Sequence, residues 1–217
     1  MSKDLWGPLA GTYDVDHTYV AGADLISAIQ AKLADTMPAG NVVELGCGTG
    51  LYTRAYAPHC SQVIATDISE RMADLAKRAL GAFPNVSVRV ADAVATGLPA
   101  GSADAVVAVN LLHIVPDAEA ILTEARRLLR PGGVLIIADA TGEGLPLRQI
   151  LASAWRGLRR WGLRTQQKGQ RNLTQATLEA LVRAAGFASI EGQALAGKVM
   201  NAAFVRAITP AEQKHNG

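Results

Sequence analysis

Five short apolar runs, NVVEL (41–45), QVIATD (62–67), VSVRVAD (86–92), DAVVAVN (104–110) and VLIIAD (134–139), recur along the chain with helical apolar spacing between them. Gaps of this length are too long for tight hairpins and long enough for crossover helices, so the pattern selects an α/β fold built on a parallel sheet. The fourth run is apolar at nearly every position and reads as a strand covered on both faces, whereas VSVRVAD alternates as a half-buried strand does.

The intervening segments fit the same scheme. Apolar residues at helical spacing cover 19–37, and a helix is expected to begin near Gly50. Ser69 can cap a helix that continues through Leu80. Asp117 can cap another that runs to Leu129 and is stopped by Pro131-Gly132-Gly133. Beyond 140 the rhythm changes: helical patterns at 145–162 and 174–185 precede two strand-like runs, 188–195 and 199–208, facing each other across Gly197 as an antiparallel hairpin. With 217 residues the chain holds one well-cored domain and not two full-sized ones. Its parts are an entry segment (1–38), a core (40–140), a helical cover (145–185) and a terminal strand pair (187–208).

The first run ends in glycines. In VVELGCGTG (42–50) Gly46, Gly48 and Gly50 alternate after Glu44, and glycines between a strand and a helix N-terminus let a ligand approach the backbone. The order G-x-G-x-G departs from the dinucleotide fingerprint G-x-G-x-x-G, since Leu51 stands where its last glycine belongs. An acidic residue two places before the first glycine also suits a cationic group better than a pyrophosphate. Asp67, 21 residues after Gly46, ends the second run and is placed to accept from both hydroxyls of a ribose. Asp92 ends the third and is placed to accept from an exocyclic amine, and Asn110-Leu111-Leu112-His113 ends the fourth. All lie where an open α/β sheet binds ligands, beyond the carboxyl ends of its strands.

Composition removes several function classes. A net charge of +2 gives no bulk affinity for nucleic acid. Seven of the 21 basic residues fall between Leu147 and Arg171, a stretch with no acidic residue, leaving 14 basic against 19 acidic elsewhere. Two cysteines, Cys47 and Cys60, form neither a disulfide framework nor a metal-ligand spacing. The N-terminus lacks an apolar signal region, and the run 105–116 is too short to span a bilayer, so a cytoplasmic location is expected.

Taken in order, VVELGCGTG, Asp67 after VIAT, VADA (90–93), DAVVAVNLLHIV (104–115) and LLRPGGVLIIAD (128–139) resemble the motifs of class I S-adenosylmethionine-dependent methyltransferases over roughly 40–140. The resemblance implies a Rossmann-like, doubly wound sheet of seven strands, mostly parallel with an antiparallel last strand and helices on both faces. It implies S-adenosyl-L-methionine as cofactor and S-adenosyl-L-homocysteine as product. Carried over position by position, Glu44, Gly46, Gly48 and Gly50 would surround the methionine moiety, with Cys47 in the same cofactor loop as a small filler. Asp67 would hold the ribose, Ile68 would pack on the adenine with Met72 in the same set, Asp92 and Ala93 would read the adenine edge, and Asn110 and Leu111 would hold the cofactor's middle. GTYDVDHTYV (11–20) resembles the Tyr-Asp element that closes over the cofactor in small-molecule members, with Tyr13 as its contact.

Candidates for acceptor chemistry are fewer. His113, just past the fourth strand, stands where methyl group and acceptor meet; it either accepts a proton or contacts the acceptor, or it only packs. Tyr13 and His17 are further candidates, and His17 would share a face with Tyr19 only in an extended segment. The basic stretch 147–164 places Leu147, Ile150, Leu151, Ala154, Trp155, Leu158 and Trp161 on one helical face. It reads as a lid over the acceptor, as an interfacial helix reaching a lipid or quinone-like acceptor, or as an arginine pocket for an anion. Its place after the fifth strand matches the acceptor cover of family members of this size.

No N-P-P-Y-like sequence follows the fourth strand and no cysteine stands there, which disfavours base methylation of nucleic acid; no acid cluster for a metal is evident. A small-molecule acceptor, at O, N or C, is the remaining class. A Rossmann oxidoreductase, or a binder of the same cofactor with a different reaction, stays as an alternative.

Overall fold

The computed structural model of the protein describes residues 4, 6–162 and 173–211. Arg164, Lys168 and Arg171 of the basic stretch lie outside the described residues. A 3-10 segment, Gly7–Thr12, leads into helices α1 (Tyr13–Ala21) and α2 (Ala23–Thr36). Then come β1 (Asn41–Leu45), the short α3 (Thr53–Tyr56), β2 (Gln62–Asp67), α4 (Glu70–Ala79), β3 (Val86–Val90), β4 (Ala103–Val109), α5 (Ala118–Leu128) and β5 (Leu129–Thr141). The chain ends with α6 (Leu147–Trp161), α7 (Gln175–Ala184), β6 (Ala188–Leu195) and β7 (Asn201–Ile208).

These strands make one seven-stranded sheet in the order β3-β2-β1-β4-β5-β7-β6. The first five pair in parallel, and β7 runs antiparallel to both β5 and β6, which is the doubly wound sheet expected. Alternate residues of each strand feed opposite layers. Val43, Leu45, Val106, Leu135 and Ile137 pack with Leu122 of α5 and Leu178 of α7. Val42, Val107, Val109 and Ile136 pack with Leu25 and Ile29 of α2 and Tyr56 of α3. Strand order reverses between β1 and β4, and the crevice above that switch point is where the glycine loop opens.

The caps hold: Ser69 Oγ accepts from Met72 N, and Asp117 from Ala120 N. Three expectations need correction. The continuous helix over 19–37 is interrupted at Gly22, whose φ of 92° and ψ of 136° only glycine adopts readily, and α1 begins already at Tyr13. The fifth strand starts before 134, because Leu129 pairs with Ala103 and Thr209 N donates to Gly133 O. The third strand stops at Val90, and Asp92 turns back to bridge Ala95.

Candidate functional site

The loop after β1 is held open from below. Gly46 and Gly48 sit at φ 72° and 55°, in the left-handed region. Asp67 at the end of β2 accepts Gly48 N–H at 2.8 Å and Ser69 N–H at 2.9 Å, so one carboxylate fixes both loops that flank the crevice. Burial pushes the Asp67 carboxyl up from its ordinary value, against the lowering by those two N–H groups. A Cβ added at Gly48 would meet only Tyr13 Cε1, at 4.0 Å, and would project into open space above the loop.

That space is a cavity of about 440 Å³ lined by Tyr13, Gly46, Gly48, Asp67, Ile68, Met72, Asp92, Ala93, Asn110 and Leu111, with Trp6 and Ile114 added. Ten of the residues expected around the cofactor are therefore together. The acid at Asp67, the apolar Ile68 and Met72 beside it, and a glycine floor that a Cβ would fill fit a nucleoside bearing a polar tail.

Glu44, Cys47 and Gly50 are not brought to this cavity. Glu44 points beneath the loop, where its Oε2 accepts from Thr53 Oγ1 at 2.5 Å and Tyr56 Oη at 2.7 Å. Burial raises its pKa from 4.5 to about 7 despite those donors. It ties β1 to α3. Cys47 packs with Ala65, Ala76 and Leu80, and burial drives its thiol well above the ordinary range. Gly50, at φ 80°, leaves room for Leu80, whose Cδ1 would lie 2.9 Å from an added Cβ.

The entry segment closes over the cavity through named contacts. Asp14 Oδ1 accepts from Thr49 Oγ1 at 2.5 Å, pinning α1 to the glycine loop. Asp4 Oδ2 accepts from Ser69 Oγ at 3.0 Å and Asp4 Oδ1 from Gly7 N at 2.7 Å, which anchors the chain ahead of α1. Tyr13 stacks on His17 with ring centroids 5.6 Å apart, and Trp6 meets both Tyr13 and Trp161 edge-on, at 5.7 and 5.4 Å. Burial, then the Asp67 and Asp14 carboxylates, push the Tyr13 phenol well above its ordinary value, so it stays protonated.

A second cavity of about 550 Å³ shares Trp6, Tyr13, Asn110 and Ile114 with the first and is otherwise walled by His17, Val20, His113, Glu143, Met200 and the inner side of α6. Asn110 forms part of the boundary. It ends β4 at φ 51°, a conformation asparagine tolerates better than most residues. Its Oδ1 accepts Ala140 N–H at 2.9 Å and its Nδ2 donates to Tyr52 Oη at 3.2 Å. His17 is buried with Nε2 2.8 Å from the same hydroxyl. Burial lowers its pKa from 6.5 to about 4, so it is neutral at pH 7. Because the segment is helical, His17 and Tyr19 do not share a face: Tyr19 lies under Arg156 and Arg160, at 5.3 and 5.0 Å.

His113 projects to the second cavity from a built support. Its Nδ1 lies 2.5 Å from Asp139 Oδ1, and Asp139, fully buried at the end of β5, also accepts from Leu112 N at 3.3 Å and His113 N at 3.4 Å. Asp139 is the residue that sequence reading missed; its only signal was an acid at the end of a buried strand. Trp6 and Tyr52 were missed too.

Helix α6 covers this cavity, and its apolar residues divide. Ile150, Ala154, Leu158 and Trp161 line the cavity, while Leu147, Leu151 and Trp155 face outward, so the two tryptophans do not share one surface. The Trp161 indole N–H is buried without an acceptor among the described residues. Among those residues no His, Cys, Asp and Glu cluster could hold a metal, and no helix is long and apolar enough to cross a membrane.

Residues 43–137 match the family model described as a methyltransferase domain. Similar curated proteins include the hybrid PKS-NRPS synthetase fsa1 of a Fusarium species, 29% identical over 88% of this chain, and the highly reducing polyketide synthase valA of Aspergillus terreus, 28% identical over 91%. The chain spans only 5% and 8% of the length of those two relatives. A methyltransferase structure from Thermotoga maritima superposes with TM-score 0.71 at 22% identity, covering 94% of this chain and 98% of its own. The CurJ carbon methyltransferase gives 0.73 at 18%, covering 93% and 59%. A phosphoethanolamine N-methyltransferase of Haemonchus contortus, solved with S-adenosyl-L-methionine, gives 0.68 at 17%, covering 94% and 57%. With the motif order, the seven-stranded sheet and the cavity over the glycine loop in place, residues 43–137 form a methyltransferase domain, on the fold shared with these S-adenosylmethionine-dependent methyltransferases.

Proposed function

We propose that the protein methylates an apolar small molecule held in the second cavity, at an atom whose proton His113 removes. The observation that carries this reading is the pair of adjoining, mostly apolar cavities, one over the glycine loop with the Asp67 carboxylate and the other with a carboxylate-braced histidine. Bound S-adenosyl-L-methionine supplies an electrophilic methyl group, and displacement by the acceptor leaves S-adenosyl-L-homocysteine. With Nδ1–H donating to Asp139, His113 presents Nε2 as the acceptor of a proton, and the buried carboxylate balances the imidazolium that results. Tyr13, Asn110 and Ile114, common to both cavities, would hold the acceptor against the cofactor. Such alignment contributes up to about 7–11 kcal/mol in oriented intramolecular reactions. Trp6 and Trp161 meet edge-on in the wall of the second cavity, and a site shielded from water suits a step that consumes positive charge.

His17 is a weaker base, since it stays neutral until about pH 4 and is committed to Tyr52. It and the protonated Tyr13 hold the wall in place. Polyketide synthases among the relatives and a carbon methyltransferase among the similar structures support a carbon acid or hydroxyl on an oxygenated, apolar acceptor.

The test is production of methylated acceptor from labelled S-adenosyl-L-methionine across a panel of β-dicarbonyl, phenolic and amine acceptors, beside titration with S-adenosyl-L-homocysteine. His113→Asn should abolish product while leaving that titration unchanged. Turnover unaffected by this change sinks the proposed base, and saturable binding with no product from any acceptor points to a non-transfer reaction.

A further inference from the structure

On its outer side α6 carries Leu147, Leu151 and Trp155, four residues apart and thus stacked along one face, with 70%, 62% and 62% of their surface exposed. The cavity-lining Ile150 and Leu158 adjoin this ridge by helical phase and are themselves 39% exposed, so the apolar surface runs unbroken from the outside of the wall to the cavity rim. A contiguous exposed patch of large apolar side chains marks an interaction site more often than a scattered one does.

Charge beside the ridge is of one sign. The sequence LRQILASAWRGLRRW holds four arginines and no acidic residue. Arg156 and Arg160 are folded over Tyr19, and Arg160 also pairs with Asp16 at 3.2 Å. Those contacts fasten α6 to α1. Arg148 and Arg159 flank the ridge on its other side by helical phase, exposed and without a carboxylate partner among the described residues.

Size decides what this surface fits. From Leu147 to Trp155 the ridge is about 12 Å long at 1.5 Å per residue, and one helix face of that length falls short of the roughly 800 Å² per partner of a stable protein interface. An interfacial helix needs no more than this: a short apolar face with tryptophan at the headgroup level and arginines beside it.

We infer that the outer face of α6 docks on an anionic lipid bilayer, with Leu147, Leu151 and Trp155 at the headgroup–acyl boundary and Arg148 and Arg159 against lipid phosphates. An apolar acceptor then passes between bilayer and second cavity along the α6 wall; this last clause rests on the function proposed above, whereas the docking does not.

The experiment is co-sedimentation of the full chain with vesicles of phosphatidylcholine alone and of phosphatidylcholine with phosphatidylglycerol, at low and high salt. Leu151→Glu/Trp155→Glu and Arg148→Gln/Arg159→Gln are compared with wild type, and titration with S-adenosyl-L-homocysteine verifies that each variant is folded. Wild type should bind the anionic vesicles, more weakly in high salt, and either double variant should lose at least about tenfold in partitioning. Absence of binding by wild type, or equal binding by the Leu151→Glu/Trp155→Glu variant, overturns the inference. A concentration-dependent dimer in sedimentation velocity that this variant abolishes, with no vesicle binding, overturns it as well and assigns the ridge to a second copy.

Discussion

Asp139 Oδ1 lies 2.5 Å from His113 Nδ1, across the paired ends of β4 and β5. Because β5 continues past the end of β4, its buried carboxylate reaches back beneath the turn that presents the histidine, and it accepts two backbone N–H groups of that turn as well. One acid therefore fixes both the ring and the backbone that carries it.

This arrangement predicts that Asp139→Asn loses turnover more than binding. An amide can donate to Nδ1 and so favour the tautomer that carries its proton on Nε2, facing the acceptor. We expect kcat to fall by about 10²-fold or more, the range of a lost general base. The dissociation constant for S-adenosyl-L-homocysteine should stay within about threefold. Parallel steady-state kinetics and calorimetric titration measure both, and an unchanged kcat would remove the assigned role.

The Asp14–Thr49 contact joins α1 to the glycine loop, and Arg54 NH2 lies 3.6 Å from the other oxygen of Asp14. Asp14→Ala removes the acceptor while leaving the cavity walls in place. A hydrogen bond to a charged group is worth about 1.5–3 kcal/mol and this one is present without ligand, so the urea midpoint of the unliganded protein should fall, and affinity for S-adenosyl-L-homocysteine should fall with it, by up to about tenfold, because binding must then order the loosened glycine loop. Asp67→Ala should cost more, since the same carboxylate braces Gly48 and Ser69 and faces the cavity.

Trp161 buries an indole N–H that no described residue accepts, in the wall of the second cavity. An oxygenated acceptor can supply the missing partner. Trp161→Phe keeps the ring packing and deletes the donor, so KM for the acceptor should rise by about five- to tenfold, one neutral hydrogen bond, while cofactor binding is unaffected. A KM that does not move for any turned-over acceptor contradicts this.

What could be read from the sequence followed burial. The central strands declared themselves because Ala105 to Val109 and Val134 to Ala138 are buried from both sides and apolar without interruption, and Val42 to Leu45 is broken only by Glu44. Asp67 and Asn110 were legible because strand ends at a switch point face a crevice in any sheet of this kind. Glu44 was misleading: a charge inside a buried run looks functional, yet the donors that satisfy it, Thr53 and Tyr56, return from a helix whose packing no local spacing announces. Asp139 was hidden for the converse reason, since its partner is set by β4–β5 pairing and not by anything near it in sequence. Gly22 sat inside a helical apolar pattern, and only its positive φ shows why the pattern breaks there.

Glu44 and His17 predict a pH dependence of stability in which two buried groups oppose each other. Glu44 has its pKa raised from 4.5 to about 7, so its protonated form favours the fold; its contribution is full below pH 4.5 and is lost as pH rises through 7. His17 has its pKa lowered from 6.5 to about 4, so its neutral form favours the fold; its contribution is full above pH 6.5 and is lost as pH falls through 4. Each shift corresponds to something on the order of 3 kcal/mol. Their slopes cancel between pH 4.5 and 6.5, where both windows overlap. Glu44→Gln retains an oxygen to accept from Thr53 and Tyr56 but cannot titrate. Relative to wild type, it should gain stability as pH rises from 4.5 to 7. His17→Gln should show the opposite trend, losing its deficit as pH falls from 6.5 to 4. Urea unfolding of the three proteins at half-unit steps from pH 4 to 8 separates the two contributions, and a difference between Glu44→Gln and wild type that does not vary with pH would mean that folding leaves the Glu44 carboxyl unshifted.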